Sequence, residues 1–134
     1  MTFQNAEEMY QIFKTMMDKI QNDQELTKKL SAANMVVALN VPNLDALITL
    51  DLKGKMVAIY GPTDIKPDCT SIQKDDVFNK FWQGKVNLMM ATISGKIKTQ
   101  GAVTDMLRLV PILTPVYKLY NEVLKEAGRD DLVA

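Results

Sequence analysis

The chain has 134 residues, of which 47% are hydrophobic and 24% are charged, as is ordinary for one soluble globular domain. Its 16 basic and 16 acidic residues cancel, so no overall field draws the chain to nucleic acid or to an anionic membrane. The absence of histidine and the single cysteine, Cys69, exclude a Ser-His or Cys-His nucleophile, a histidine-ligated metal site and an intrachain disulfide.

The first half of the chain predicts two helices followed by a meander of strands. Apolar residues recur every three or four positions between residues 9 and 20, which predicts an amphipathic helix over residues 5–19. Asn5 followed by Glu8 is the pattern of a capping box at its start. A shorter helix is expected over residues 23–30. Alternating apolar residues, separated by turn signals, then predict strands over residues 35–41, 44–52, 55–60 and 68–73.

The second half predicts helices around one further strand. Asp75 and Asp76 favour a helix start by complementing the helix dipole, and Gly84 ends that helix. Pro111 and Pro115 interrupt the last helical pattern. The expected elements are helices over residues 75–84, 86–94 and 103–110, a strand over residues 96–100, and a helical segment over residues 113–124. Together these elements predict a single α+β domain over residues 1–134, in which a mainly antiparallel five-stranded sheet is covered on one face by helices.

Two further features indicate where the protein works. No stretch approaches the ~20 apolar residues needed to span a bilayer, and residues 1–10 lack the apolar core of a signal peptide. The lone cysteine is consistent with a reducing compartment. We therefore expect a cytoplasmic location.

Two glycine-lysine segments, ten residues apart, are distinctive as a set. They read GKVN at residues 84–87 and SGKIK at residues 94–98, and Gly101 closes the second. With KPDCT at residues 66–70 and MMA at residues 89–91, they resemble the sterol carrier protein type 2 family, as does the order of elements over residues 5–110. Gly84 and Gly95 each follow a predicted helix, so we interpret the glycine-lysine motif as helix termination rather than as a phosphate loop.

The resemblance implies a non-catalytic lipid carrier that needs no cofactor and holds a fatty acid, fatty acyl-CoA, sterol-like ligand or phospholipid in an apolar cavity between sheet and helices. Burying an acyl chain there is favourable by ~0.8 kcal/mol per methylene group, offset by ordering costs. For every lining residue the alternative is an ordinary filled core. The residues expected to line the cavity are Val37, Leu39, Ile48, Leu50, Phe78, Phe81, Trp82, Met89, Met90, Ile93, Met106, Leu107, Val110 and Leu113.

Several interpretations stay open at this point. Cys69 is expected to be structural, and the Asp75-Asp76 pair to be solvated or to complement a helix dipole. Lys85, Lys96 and Lys98 either attract an anionic head group or form a solvated face.

The role of the C-terminal segment and the function of the whole protein also stay open. Residues 112–134 form either a lid that opens the cavity, in transient contact with a membrane surface, or a helix that completes the core. The second function class is an accessory interaction module that presents a lipid or quinone precursor to a partner enzyme. The sequence does not fix the oligomeric state.

Overall fold

A computed structural model describes residues 2–54 and 56–134. The first two elements are amphipathic helices, α1 (Ala6–Gln21) and α2 (Gln24–Ser31). The Oδ1 atom of Asn5 accepts a hydrogen bond of 2.9 Å from the N–H of Glu8, which confirms the predicted cap. The Glu8 carboxylate in turn accepts from the N–H of Gln4 rather than from Asn5. The apolar stripe of α1 is buried, as its spacing predicts.

Five strands form one mixed sheet. They are β1 (Val36–Val41), β2 (Ala46–Asp51), β3 (Val57–Tyr60), β4 (Cys69–Gln73) and β5 (Ile97–Gly101). The order across the sheet is β3-β2-β1-β4-β5, and only the pair β1–β4 is parallel. This pair is parallel because the chain leaves β3 at one edge and crosses β2 and β1 before it enters β4. The predicted α+β class and five-stranded sheet are confirmed, with this one parallel pair; the expected start of the third strand at Lys55 lies outside the described residues.

The strand register defines the face of the sheet that carries the core. Val37 lies opposite Leu50 on one side and Cys69 on the other, and Leu39 lies opposite Ile48 and Ser71. These side chains share one face because side chains alternate along a strand. The hydrophobic core is built on this inner face, against the helices.

Four further helices pack around the sheet: α3 (Asp75–Phe81), α4 (Leu88–Ser94), α5 (Val103–Leu109) and α6 (Thr114–Glu126). A 3₁₀ turn over Val110–Leu113 joins α5 to α6, and Pro111 lies within it. Pro115 is the second residue of α6, where a missing N–H breaks no intrahelical bond. The two prolines therefore mark the junction between α5 and α6 without ending the helical run.

Helix α6 and the segment after it are tied back to the body of the domain. The Tyr120 hydroxyl donates a 2.8 Å hydrogen bond to Oδ1 of Asn79 on α3. Gln83 Nε2 donates to the carbonyl oxygen of Leu132 at 2.8 Å. The Arg129 guanidinium forms an ion pair with Glu8 on α1 and donates to the carbonyl oxygen of Thr2. These contacts connect the two ends of the described chain.

None of the helices within residues 2–54 and 56–134 combines the length and apolar character that crossing a bilayer requires.

Candidate functional site

An interior cavity lies between the inner face of the sheet and helices α3, α4 and α5. Its volume is about 30 Å³. Nine of the fourteen residues expected from the sequence line it. They are Val37, Leu39, Leu50, Phe78, Phe81, Trp82, Met106, Val110 and Leu113.

Trp82, the single tryptophan of the chain, stands at the centre of the aromatic wall of this cavity. Its ring packs edge-on against Phe13 and Phe81, with centroids 5.1 Å and 5.5 Å away. Phe78 lies 6.2 Å away in a tilted arrangement. Edge-to-face pairs of this kind are a favoured arrangement of aromatic rings and stabilise the packing on this side of the cavity.

Two of the expected residues belong to the core without reaching the cavity. Ile48 is fully buried on the inner face of β2, and Leu107 is partly buried against the same core. Neither lines the hollow itself.

The expected inward orientation of Met89, Met90 and Ile93 is wrong. These side chains are 60%, 63% and 77% exposed. Helix α4 starts only at Leu88, capped by the side chain of Asn87, and its buried residues are Leu88 and Ala91. Because residues three apart share a helix face, Leu88 and Ala91 take the inner side and the three larger apolar residues face outward.

Five lining residues were not expected: Ser71, Gln73, Leu88, Ile97 and Leu109. The alternation of β4 contains a signal for the first two, since Ser71 and Gln73 share the face of the buried Cys69. Both side chains are polar, so an expectation based on apolar lining residues does not include them.

Gln73 is the only lining side chain with an orphaned polar atom. It is 6% exposed, and its Oε1 atom has no hydrogen-bond partner within the described part of the chain. An unsatisfied buried acceptor costs about 1–3 kcal/mol. Gln73 therefore places an unsatisfied acceptor among the residues that line the β4 side of the cavity.

Gln73 also lines a second, outer feature, which we call the lysine groove. This groove of about 1180 Å³ lies on the surface, where α3 and α4 face β4 and β5. Its cations are Lys74, Lys80, Lys85, Lys96 and Lys98, and the acidic residue among its lining is Asp76. The three lysines singled out in the sequence are therefore brought together, with two more beside them.

The volume of the interior cavity sets a physical condition on binding. A space of about 30 Å³ holds roughly one or two water molecules. An acyl chain or a sterol can enter only if side chains move apart. Met106 is the lining residue best suited to this, because methionine is unbranched and adapts its rotamer readily.

The chemistry of Cys69 agrees with a structural role. The thiol is buried in β4, and this burial, with the Asp105 and Asp68 carboxylates nearby, raises its pKa to about 11. A thiol with so high a pKa stays protonated at neutral pH and is a poor nucleophile.

Asp75 is not solvated, but it lies in the first turn of α3, as the alternative expectation of a charge that complements the helix dipole requires. Its carboxylate is buried and accepts hydrogen bonds from the backbone N–H groups of Thr2 at 2.8 Å and Phe3 at 3.1 Å. Asn43 Nδ2 donates a third, at 2.8 Å. Burial alone raises the pKa of this carboxyl, but the hydrogen bonds outweigh it and lower the pKa below its ordinary value. Asp75 is therefore an anchor for the N-terminal segment.

The family follows from the sequence match. Residues 13–114 match the model of the SCP-2 sterol transfer family. The chain belongs to this family. The resemblance carried by the glycine-lysine segments is thereby confirmed, although no curated protein matches the chain by sequence.

Solved structures share the fold. The sterol carrier protein domain 2 of Helicoverpa armigera has a TM-score of 0.61 and 26% identity, over 78% of this chain and 84% of that one. The ubiquinone synthesis protein UbiJ-SCP2 has a TM-score of 0.62 and 17% identity, over 78% and 87%. The inverting sec-alkylsulfatase Pisa1 from Pseudomonas sp. has a TM-score of 0.58 and 20% identity over 64% of this chain, which spans only 14% of that enzyme.

Proposed function

We propose that this protein binds a lipid non-covalently between the inner face of the sheet and helices α3–α5, and carries it without catalysis. The observation that carries the proposal is the apolar lining of the interior cavity, which contacts β1, β2, β4 and three helices at once. The ligand class is a fatty acid, fatty acyl-CoA, sterol-like molecule or phospholipid. Binding is driven by burial of apolar ligand surface, at about 25 cal/mol per Å².

Three chemical facts support a carrier rather than an enzyme. Cys69 is held as a thiol by burial, and the chain has no histidine to act as a general base. Among the described residues, no group of three acidic or cysteine side chains is placed to hold a metal ion.

The lid over residues 112–134 remains a prediction. Leu113 lines the cavity, so movement of the turn before α6 opens it. Helix α6 itself buries Val116, Tyr120 and Val123 against the core, which favours the alternative that α6 completes the fold. The expected cytoplasmic location also remains a prediction.

A second candidate function is the presentation of a lipid or quinone precursor to a partner enzyme. The observation that favours it is the exposed apolar side of α4, since exposed apolar clusters mark interaction sites. The name of the structurally similar UbiJ-SCP2 protein, which refers to ubiquinone synthesis, agrees with this candidate.

The carrier function is tested with a fluorescent fatty acid. Trp82 lines the cavity, so its emission is expected to be quenched by energy transfer when cis-parinaric acid binds. Val110→Phe places a larger side chain at a partly buried lining position and is expected to weaken binding at least tenfold. Ile112→Phe is the matched control, because Ile112 is also partly buried but does not line the cavity.

The two variants should melt at similar temperatures, so that lost binding is not lost folding. Normal cis-parinaric acid binding by a folded Val110→Phe protein would contradict a ligand in this cavity. Equal losses in both variants would also contradict it, because the effect would then not depend on the lining.

A further inference from the structure

Helix α4 presents an apolar surface to solvent. We call Met89, Met90 and Ile93 the α4 patch; all three are more than half exposed. The opposite side of the helix, with Leu88 and Ala91, is buried in the domain. The patch is therefore apolar surface that the fold of this chain does not use.

Positive charge surrounds this patch. Residues 77–104 contain four lysines and no aspartate or glutamate. The whole chain has 16 basic and 16 acidic residues, so the rest of the chain has 12 basic and 16 acidic residues. The net charge is therefore +4 for residues 77–104 and −4 for the rest of the chain. The charge of the chain is balanced overall, but lysine is the only charged residue type in residues 77–104.

The lysines of the groove are free to contact a partner. All five are exposed, and none forms an ion pair with a residue in 2–54 or 56–134. Met90 lines the lysine groove, so the α4 patch and the cationic side chains form one continuous surface.

We propose that this surface docks onto a bilayer that contains anionic phospholipids. The three apolar side chains enter the interfacial region, while Lys85, Lys96 and Lys98 contact the phosphate groups around them. Lysine suits this position because its stem lies along apolar surface while its ammonium group stays at the level of the head groups.

The shape of the surface favours a bilayer over an acidic protein. The α4 patch projects from a seven-residue helix only ~10 Å long, and the neighbouring concave surface mixes apolar residues with five lysines, so it is not a continuous apolar groove. A helix-in-groove contact requires a longer apolar face or an apolar groove. A bilayer requires neither, because it offers acyl chains beneath a plane of phosphates.

Docking in this orientation brings the interior cavity to the membrane. Gln73 lines both the lysine groove and the cavity, and Leu88 lines the cavity from the inner side of α4. In this orientation, a lipid that leaves the bilayer beside α4 enters the cavity past Gln73 and Leu88. This last step rests on the proposed carrier function, whereas the docking itself does not.

The test is co-sedimentation of the full chain with vesicles. Vesicles of phosphatidylcholine alone are compared with vesicles that also contain phosphatidylglycerol. We expect binding to the anionic vesicles that falls as salt is raised, because head-group attraction is screened. Each lysine is expected to contribute about fivefold, corresponding to ~1 kcal/mol near an anionic surface.

Two variants separate the parts of the surface. Lys85→Glu with Lys96→Glu is expected to weaken binding at least 25-fold, and Met89→Ser with Ile93→Ser at least tenfold. The matched control, Lys14→Glu with Lys28→Glu, makes the same change in net charge at exposed positions on α1 and α2 and is expected to retain binding. Because all substituted residues are exposed, every variant should keep the wild-type melting temperature.

The outcomes are distinct. Loss of binding in the α4 variants alone supports the proposal. Equal loss in the control shows that net charge suffices and overturns it, as does failure of the wild-type chain to bind anionic vesicles. If the α4 variants instead lose a protein partner while vesicle binding is absent, the surface is a protein interface. The Val110→Phe variant should bind vesicles normally, so failure of the carrier function is distinguishable from failure of docking.

Discussion

Replacing Gln73 with methionine is expected to stabilise the unliganded protein. The Gln73 Oε1 atom is buried without a partner in the described residues, and such an atom costs about 1–3 kcal/mol. Methionine is an unbranched side chain of similar length and comparable rotamer entropy, so the substitution removes this cost without opening a cavity. We expect the free energy of unfolding to rise by about 1–2 kcal/mol, and the melting temperature by roughly 3–5 °C per kcal/mol.

The same substitution at Gln83 is the control. Gln83 is similarly buried, at 5% exposed, but both ends of its amide are satisfied. Its Nε2 donates to the carbonyl oxygens of Leu132 at 2.8 Å and Asn79 at 3.1 Å, and its Oε1 accepts from the N–H of Ala134 at 2.7 Å. Gln83→Met is therefore expected to destabilise the protein by about 2–3 kcal/mol. Urea unfolding of the two variants and the wild type measures the opposite signs.

Ligand binding by the Gln73→Met variant tests why the orphaned acceptor is present. A long-chain alcohol can donate its O–H to Gln73, whereas the corresponding methyl ether cannot. The variant is expected to bind the alcohol about three- to tenfold more weakly and the ether unchanged, since a hydrogen bond contributes about 0.5–1.5 kcal/mol net. If Gln73→Met destabilises the fold as much as Gln83→Met, or does not distinguish the two ligands, the reasoning is refuted.

Two further predictions concern the fold around the site. Asp75→Ala is expected to lower the free energy of unfolding by about 2–4 kcal/mol, because it leaves the N–H of the fully buried Phe3 without an acceptor. Since the pKa of Asp75 is lowered in the folded state, its stabilising effect is present above the ordinary pKa of 3.8 and is lost as the pH falls through the lower folded-state pKa. Urea unfolding should therefore show that the difference in stability between wild type and variant disappears in acid. Gly84→Ala is expected to be more destabilising than Gly128→Ala by about 1–3 kcal/mol. Both glycines have a positive φ, of 75° and 72°, but of these two only Gly84 is so placed that an added Cβ would lie 2.7 Å from the Tyr117 ring. Equal losses of stability on thermal unfolding would show that the ring simply moves away.

The fold could be predicted largely from the periodicity of apolar residues and from the residues that cap helices and form turns. The stripe of α1, the capping pattern at Asn5 and the alternation of β2 each have one dominant local cause, and each appears in the structure. The parallel pairing of β1 with β4 could not be predicted in this way, because it depends on where the chain crosses the sheet rather than on any local pattern.

The candidate site was predictable only in part. Val37 on β1 and Trp82 at the end of α3 line the cavity as expected, because the alternation around the first and the spacing around the second each have a single solution. Helix α4 has apolar residues on both sides, so its spacing alone could not show whether Leu88 or Met89 faces inward. Tertiary packing decides this, and it selects the smaller pair, Leu88 and Ala91.

Native mass spectrometry of the purified chain, titrated with a long-chain fatty acid, tests the central claim most directly. It detects each bound lipid as a defined increase in mass. The account predicts one ligand per chain in the wild-type protein and in Ile112→Phe, and strongly reduced occupancy in Val110→Phe. A wild-type chain that gives no one-to-one complex with a fatty acid, an alcohol or a phospholipid would contradict lipid binding between the sheet and its helices.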